Sequence, residues 1–122
     1  MIGRWRRRAR SDSGMVTAET AMSLPVLVAL TLVGVAAVSV GQARMRCVDA
    51  ATEAAKAIAR GDPGSAAERA RSAAGRPVTL SATAGALDTT VTVRLALRPV
   101  SWLPPVRITE TAVAATEPGV GP

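Results

Sequence analysis

Thr20 to Ala43 reads TAMSLPVLVALTLVGVAAVSVGQA, 24 consecutive residues without a charge. At about 1.5 Å of rise per residue, a helix of this length crosses a hydrocarbon core of roughly 30 Å. Five arginines, Arg4, Arg6, Arg7, Arg8 and Arg10, stand before the run, and only Arg44 and Arg46 follow it closely. The positive-inside rule therefore holds the N-terminus in the cytoplasm and sends the C-terminal part outside, as a single-pass protein of the cell membrane. A buried core helix is a poor reading, because the remaining chain has too little apolar surface to surround it. A cleaved secretory signal is the rival. Gly41 and Ala43 are small and spaced like a peptidase site, which would release a small secreted binding protein near Ala43. Against it, the uncharged run exceeds the usual apolar region of about 7 to 15 residues, and Glu19 stands where such a signal is apolar. The arginine run also lacks the apolar residues expected directly after a twin-arginine pair.

Composition narrows the chemistry. The 122 residues are 48% hydrophobic, yet Trp5 and Trp102 are the only aromatic residues; Phe, Tyr and His are absent and Cys47 is the single cysteine. The length allows at most one ordinary domain. Without histidine, and with one cysteine, the chain cannot assemble a His/Cys zinc site, a Ser-His-Asp triad or a Cys-His pair. No catalytic, cofactor-binding or metal-binding set is expected, and the protein is read as a non-enzyme. The net charge is +6, but most of it lies in the first fourteen residues. A nucleic-acid binder would spread that charge over a folded face, so no nucleic-acid partner is expected. Lys56 is the only lysine, an arginine bias that fits a GC-rich genome.

Beyond the span the helical pattern continues. Gln42, Arg46, Asp49, Glu53, Lys56 and Arg60 recur every three or four residues, opposite Val48, Ala51, Ala55 and Ile58. Glu53 with Lys56 is a favourable pair, and the polar stripe reads as a solvated face. Gly61-Asp62-Pro63-Gly64 ends this helix. Ser65-Ala66-Ala67-Glu68 matches a capping box, which predicts a second helix over Ala66–Ala74 closed by Gly75 and Pro77. From Val78 the period becomes two. Val78, Leu80 and Ala82 share one face of a first strand, and Val91, Val93, Leu95 and Leu97 share one face of a second, with a turn over Gly85–Asp88. Val106–Ala115 is placed to pair with the second strand. The apolar face of the sheet is expected to pack on Val48, Ala51, Ala55 and Ile58. A 79-residue exterior with so little aromatic mass is marginal unless helix, sheet and neighbouring subunits support one another.

The resulting organisation is α+β. Residues 1–14 form a basic leader, 15–43 the transmembrane part of a long helix, and 44–60 its exterior part. Residues 61–116 form a small exterior domain with a short second helix and an antiparallel sheet of two or three strands, and 117–122 a flexible tail.

Just before the span stands Arg10-Ser11-Asp12-Ser13-Gly14-Met15-Val16-Thr17-Ala18-Glu19. A peptidase at the cytoplasmic edge of the bilayer needs accessible, extended backbone, which Gly14 favours. Cutting after Gly14 removes the arginines, makes Met15 the new N-terminus and leaves Glu19 fifth in the mature chain. These residues resemble the type IV pilin superfamily, in which the leader, Gly14 and Glu19 match the class III pattern. The closer resemblance is to TadE-like minor pilins or pseudopilins of the Tad (Flp) system, of the actinobacterial type. It is carried by Gly14 to Ala21, Pro25 inside the span, and Met45-Arg46-Cys47-Val48-Asp49-Ala50-Ala51 after it. Thr20 departs from the tyrosine that follows the glutamate in the major Flp pilin, which points to a minor subunit. The resemblance implies a pilin-like long helix and maturation by a prepilin peptidase. It further implies other Tad pilins, membrane platform proteins and the lipid bilayer as partners, and a place in a surface pilus or secretion apparatus.

Three further features are candidates for assembly. Gly34, Ala37 and Gly41 resemble a small-residue packing face, although small residues are frequent throughout this chain. Pro25 removes a backbone donor within the span. Cys47, just outside the membrane, is either a free thiol in a helix or half of an intermolecular disulfide.

Overall fold

The computed structural model describes residues 5–116 and 118–119, with side chains from Ser13 onward. Five elements follow in chain order: α1 Trp5–Ala59, α2 Pro63–Ala74, β1 Thr79–Ala84, β2 Asp88–Leu97 and β3 Val106–Ala115. The layout is the expected α+β, with a long apolar helix, a short second helix and one antiparallel sheet in the order β1-β2-β3. Apart from Pro118 and Gly119, the expected flexible tail lies outside the described residues. The chain divides into two compact units, residues 1–36 and 37–122.

In the first unit, every side chain from Ser13 to Val35 is exposed, large apolar ones such as Met22, Leu30 and Val33 included. The apolar window of this helix is long enough to cross a membrane by length and composition, and none of it is buried within the chain. Its hydroxyls are already satisfied. Thr20, Ser23 and Thr31 donate to the carbonyls of Val16, Glu19 and Leu27, four residues back, at 2.9, 2.6 and 2.8 Å. A helix that must lie in hydrocarbon gains from such self-pairing, because no water is there to accept the protons.

The leader departs from expectation. The sequence reading places extended backbone at Gly14, whereas α1 begins at Trp5 and carries Gly14 in regular helix. Arginine and alanine are strong helix formers, no proline precedes Pro25 in α1, and one glycine costs only about 1 kcal/mol.

The second unit builds its core from α1, α2 and one face of the sheet. The buried stripe of α1 is Ala43, Cys47, Ala50, Ala54 and Ala57, with Ala51 and Ala55 beside it. Val48, expected in this stripe, is 44% exposed, and Ile58 is only partly buried. The sheet supplies the volume instead. Val91, Val93, Leu95 and Leu97 of β2 and Ile108 of β3 are buried, and alanines let the helix approach them closely. Val78, expected in the first strand, lies just before β1; it and Leu80 are half-buried and Ala82 is exposed. Ala66, Ala70 and Ala74 bury one face of α2.

Turn chemistry accounts for the joints. Gly61, with φ of 80°, ends α1 in a Schellman arrangement, in which the Gly61 amide donates to Ile58 and the Asp62 amide to Ala57. The capping box does not form. Pro63 opens α2 as its first residue, where its missing amide hydrogen is no loss, and the Ser65 hydroxyl donates to the Asp62 carboxylate at 2.5 Å. This contact lowers the pKa of Asp62 below the ordinary carboxylate value. Gly75 closes α2 in the left-handed region, as expected. The Gly85 amide donates to the Asp88 carbonyl at 2.7 Å, which turns β1 into β2. Every residue of β2 pairs with one of β3, from Asp88 with Ala115 to Leu97 with Val106.

Candidate functional site

Met15 and Glu19 stand four residues apart on α1, so they share one face, one turn apart. Met15 is 74% exposed and the Glu19 side chain is exposed. Among the described residues Glu19 is in no ion pair. Gly14 has negative φ, and a Cβ built there would meet no heavy atom within 4 Å. The fold therefore has no steric need for glycine at this position.

The same holds for Gly34 and Gly41, where an added Cβ again meets nothing within 4 Å. Together with the exposed Ala37, they recur along α1 at spacings of three and four, so small residues line one face over residues 34–41. Pro25 lies inside α1 without ending it.

Cys47 is fully buried between helix and sheet, and its thiol donates to the Val93 carbonyl at 3.4 Å. Burial raises its pKa above 9.0, and the nearby Glu110 charge adds to the rise, while a hydrogen bond from the Glu110 backbone opposes it. The thiol is free and protonated at neutral pH. Another subunit could reach it only if the helix parted from the sheet.

One constellation was not read from the sequence. The Arg44 Nε donates to Glu110 Oε1 at 2.6 Å, linking α1 to β3 across 66 residues. A signal for it existed: Glu110 alternates in phase with Ile108 and Ala112, so it faces the helix from a position where strand periodicity asks for an apolar residue. The expected Glu53–Lys56 pair forms at 3.0 Å and holds the Glu53 carboxyl below its usual pKa. Among the described residues, no group of three or more His, Cys, Asp or Glu side chains converges to hold a metal ion.

The geometry isolates a segment in which a glycine without steric purpose precedes a lone carboxylate on an exposed apolar helix. Residues 14–56 match the TadE-like protein family. The match opens on Gly14, takes in Glu19 and the whole uncharged run, and ends at Lys56 on the exterior part of α1. No curated protein and no solved structure matches the chain. The similarity to TadE-like proteins thus covers about a third of the chain, all of it on α1. Its apolar helix suits membrane anchoring.

Proposed function

We propose that this chain is a membrane-anchored minor pilin, or pseudopilin, that contributes to assembly of a Tad (Flp) pilus or secretion apparatus and catalyses no reaction itself. The observation that carries this reading is the start of the TadE-like match at Gly14, five residues before the only charge between Met15 and Ala43.

On this reading the N-terminus is cytoplasmic and residues 37–122 lie largely outside the cell membrane. A prepilin peptidase hydrolyses the peptide bond between Gly14 and Met15. Because that bond lies in helix, the enzyme must unwind a turn, and glycine makes the unwinding cheaper than any other residue except proline. The leader leaves with its arginines, and Met15 acquires a free ammonium group. A carboxylate inside an apolar span costs roughly 2.5 to 3.5 kcal/mol to insert, which calls for a partner. The Met15 ammonium of an adjacent subunit supplies one. The pair neutralises both charges and sets the axial register of docking, while Gly34, Ala37 and Gly41 let neighbouring helices approach closely. Partners are then the prepilin peptidase, sister pilins, the membrane platform proteins and the bilayer. N-terminal sequencing of the mature protein tests the reading: the first residue should be Met15. A start at Gln42 or Arg44 would replace it with a secreted protein freed by signal peptidase.

A further inference from the structure

The recess between α1 and the end of β2 points to a use of the exterior domain that assembly does not explain. Cys47 of α1 lies beside Val93 of β2, and Ala43 lines one recess with Leu97 and Pro99. Moving four residues back along α1 therefore accompanies moving four residues forward along β2. The strand runs toward the point where α1 loses its charges, and it advances about 13 Å while the helix retreats about 6 Å. The β2–β3 loop, residues 98–105, is delivered to the level of Ser39–Ala43, where the uncharged run ends.

That loop is built for an interface. Leu103 donates its amide to the Val100 carbonyl at 3.1 Å, which closes a turn with Ser101 and Trp102 at its tip. Trp102 is 77% exposed, flanked by the half-buried Val100 and Leu103 and by Pro104 and Pro105. In a domain whose core contains no aromatic residue, the one tryptophan of the exterior stands outside. Behind it, Arg46 of α1, Arg76 after α2 and Arg98 after β2 converge with Gln42 on the recess of about 170 Å³, and no carboxylate lines it. Among the described residues none of these three arginines is in an ion pair. The arginines and lysine at the other end are placed differently: Lys56 is bonded to Glu53, Arg71 lies 3.9 Å from Glu68, and Arg69 donates to the Ser65 hydroxyl that Asp62 holds. Of the arginines next to the span, Arg44 pairs with Glu110, whereas Arg46, Arg76 and Arg98 share a recess that no carboxylate lines.

We propose that this end of the exterior domain docks on the bilayer surface, with Trp102 seated among the headgroups and Arg46, Arg76 and Arg98 holding the phosphates of anionic lipids. Tryptophan favours that depth because its ring is apolar and its N–H can still find an acceptor. Guanidinium groups bind phosphate by paired, charge-assisted hydrogen bonds. The domain is thereby held against the membrane while the subunit waits for extraction into a filament. The inference rests on the reading that residues 20–43 span the bilayer.

The test uses the full chain with Trp5→Phe, which leaves Trp102 as the only tryptophan, in vesicles of phosphatidylcholine with and without phosphatidylglycerol. Alkaline carbonate extraction is run on the same vesicles. The expected result is retention of the chain, with Trp102 emission shifted to shorter wavelength and quenched by lipids brominated near the headgroup. Quenching by brominated phosphatidylglycerol should exceed that by brominated phosphatidylcholine. The preference should fall by up to about fivefold per arginine in Arg46→Gln, Arg76→Gln and Arg98→Gln. High salt should lower it in the unaltered arginine background, a measurement independent of how the variants fold. Retention with Trp102 emitting as in water and unquenched would overturn the docking alone. Extraction of the chain would overturn the spanning reading and the docking with it.

Discussion

The two parts of α1 are equally helical and treat their side chains in opposite ways. Before residue 36, leucine, methionine and valine are exposed; beyond residue 43, alanine and cysteine are buried. Size explains the contrast. The exterior part has a sheet to lie against, and small side chains let the backbone approach valines and leucines that already fill the space. The earlier part has no such surface in its own chain, so its bulk is directed outward, toward lipid or toward other helices. Burial against the sheet thus selects small residues on one part of a continuous helix, while the part with no such surface carries the large ones.

The sharpest way to break that comparison is at its start. Gly14→Val should leave an unprocessed precursor carrying its fourteen-residue leader, because the added side chain blocks the close approach to the backbone that glycine permits. The fold itself has room for the new side chain, so far-ultraviolet circular dichroism should not change. Normal maturation of this variant would remove Gly14 from the processing site.

Glu19→Ala comes next. The variant should insert and be cut as usual, since it loses only a charge that hydrocarbon disfavours, yet it should fail to co-purify with sister pilins. Assembly at the unaltered level would reduce Glu19 to a carboxylate facing headgroups.

The exterior part is tested through its core. Val91→Asp places a charge at a fully buried position with no cationic partner, and an uncompensated buried charge costs about 3 to 5 kcal/mol, enough to unfold a small domain. Ile58→Asp, at a partly buried position, should cost only about 1 kcal/mol. Equal melting temperatures for the two variants in detergent would contradict the alanine-lined interface.

Most of this architecture could be read from the sequence because its signals are periodic. The uncharged run, the alternation along β2 and the pairing of Val106–Ala115 with it rest on residues whose neighbours all agree. The helix–sheet contact was harder to place. Val48 and Ile58 are the branched apolar residues of that stretch and carry its strongest periodic signal, but alanine carries little hydrophobic signal and the true stripe is made of it and Cys47. The capping box failed for a related reason: Ser65 and Glu68 fit the pattern, while Pro63 two residues earlier had already set the helix start. At the candidate site, Gly14 and Glu19 were legible as a spacing. The arginines of the recess were not, because Arg46, Arg76 and Arg98 come together only once the chain after α1 has folded back on it.

The smallest expected effect tests whether helix and sheet are also joined by charge. Arg44 is the first charged residue after the span, and its bond to Glu110 links that residue to β3. The arginine side chain is 71% exposed and the glutamate 20%, so water screens the attraction from one side only. Exposed pairs contribute about 0 to 1 kcal/mol. Glu110→Gln keeps the shape and a hydrogen-bond acceptor while removing the charge, and should lower stability by a few tenths of a kcal/mol, a loss that shrinks as salt is raised. The same change removes the nearby negative charge that disfavours the Cys47 thiolate, so that thiol should ionise at a lower pH than in the unaltered protein. A loss of several kcal/mol in Glu110→Gln would mean that the pair, rather than the alanine-lined contact, holds the sheet to the helix.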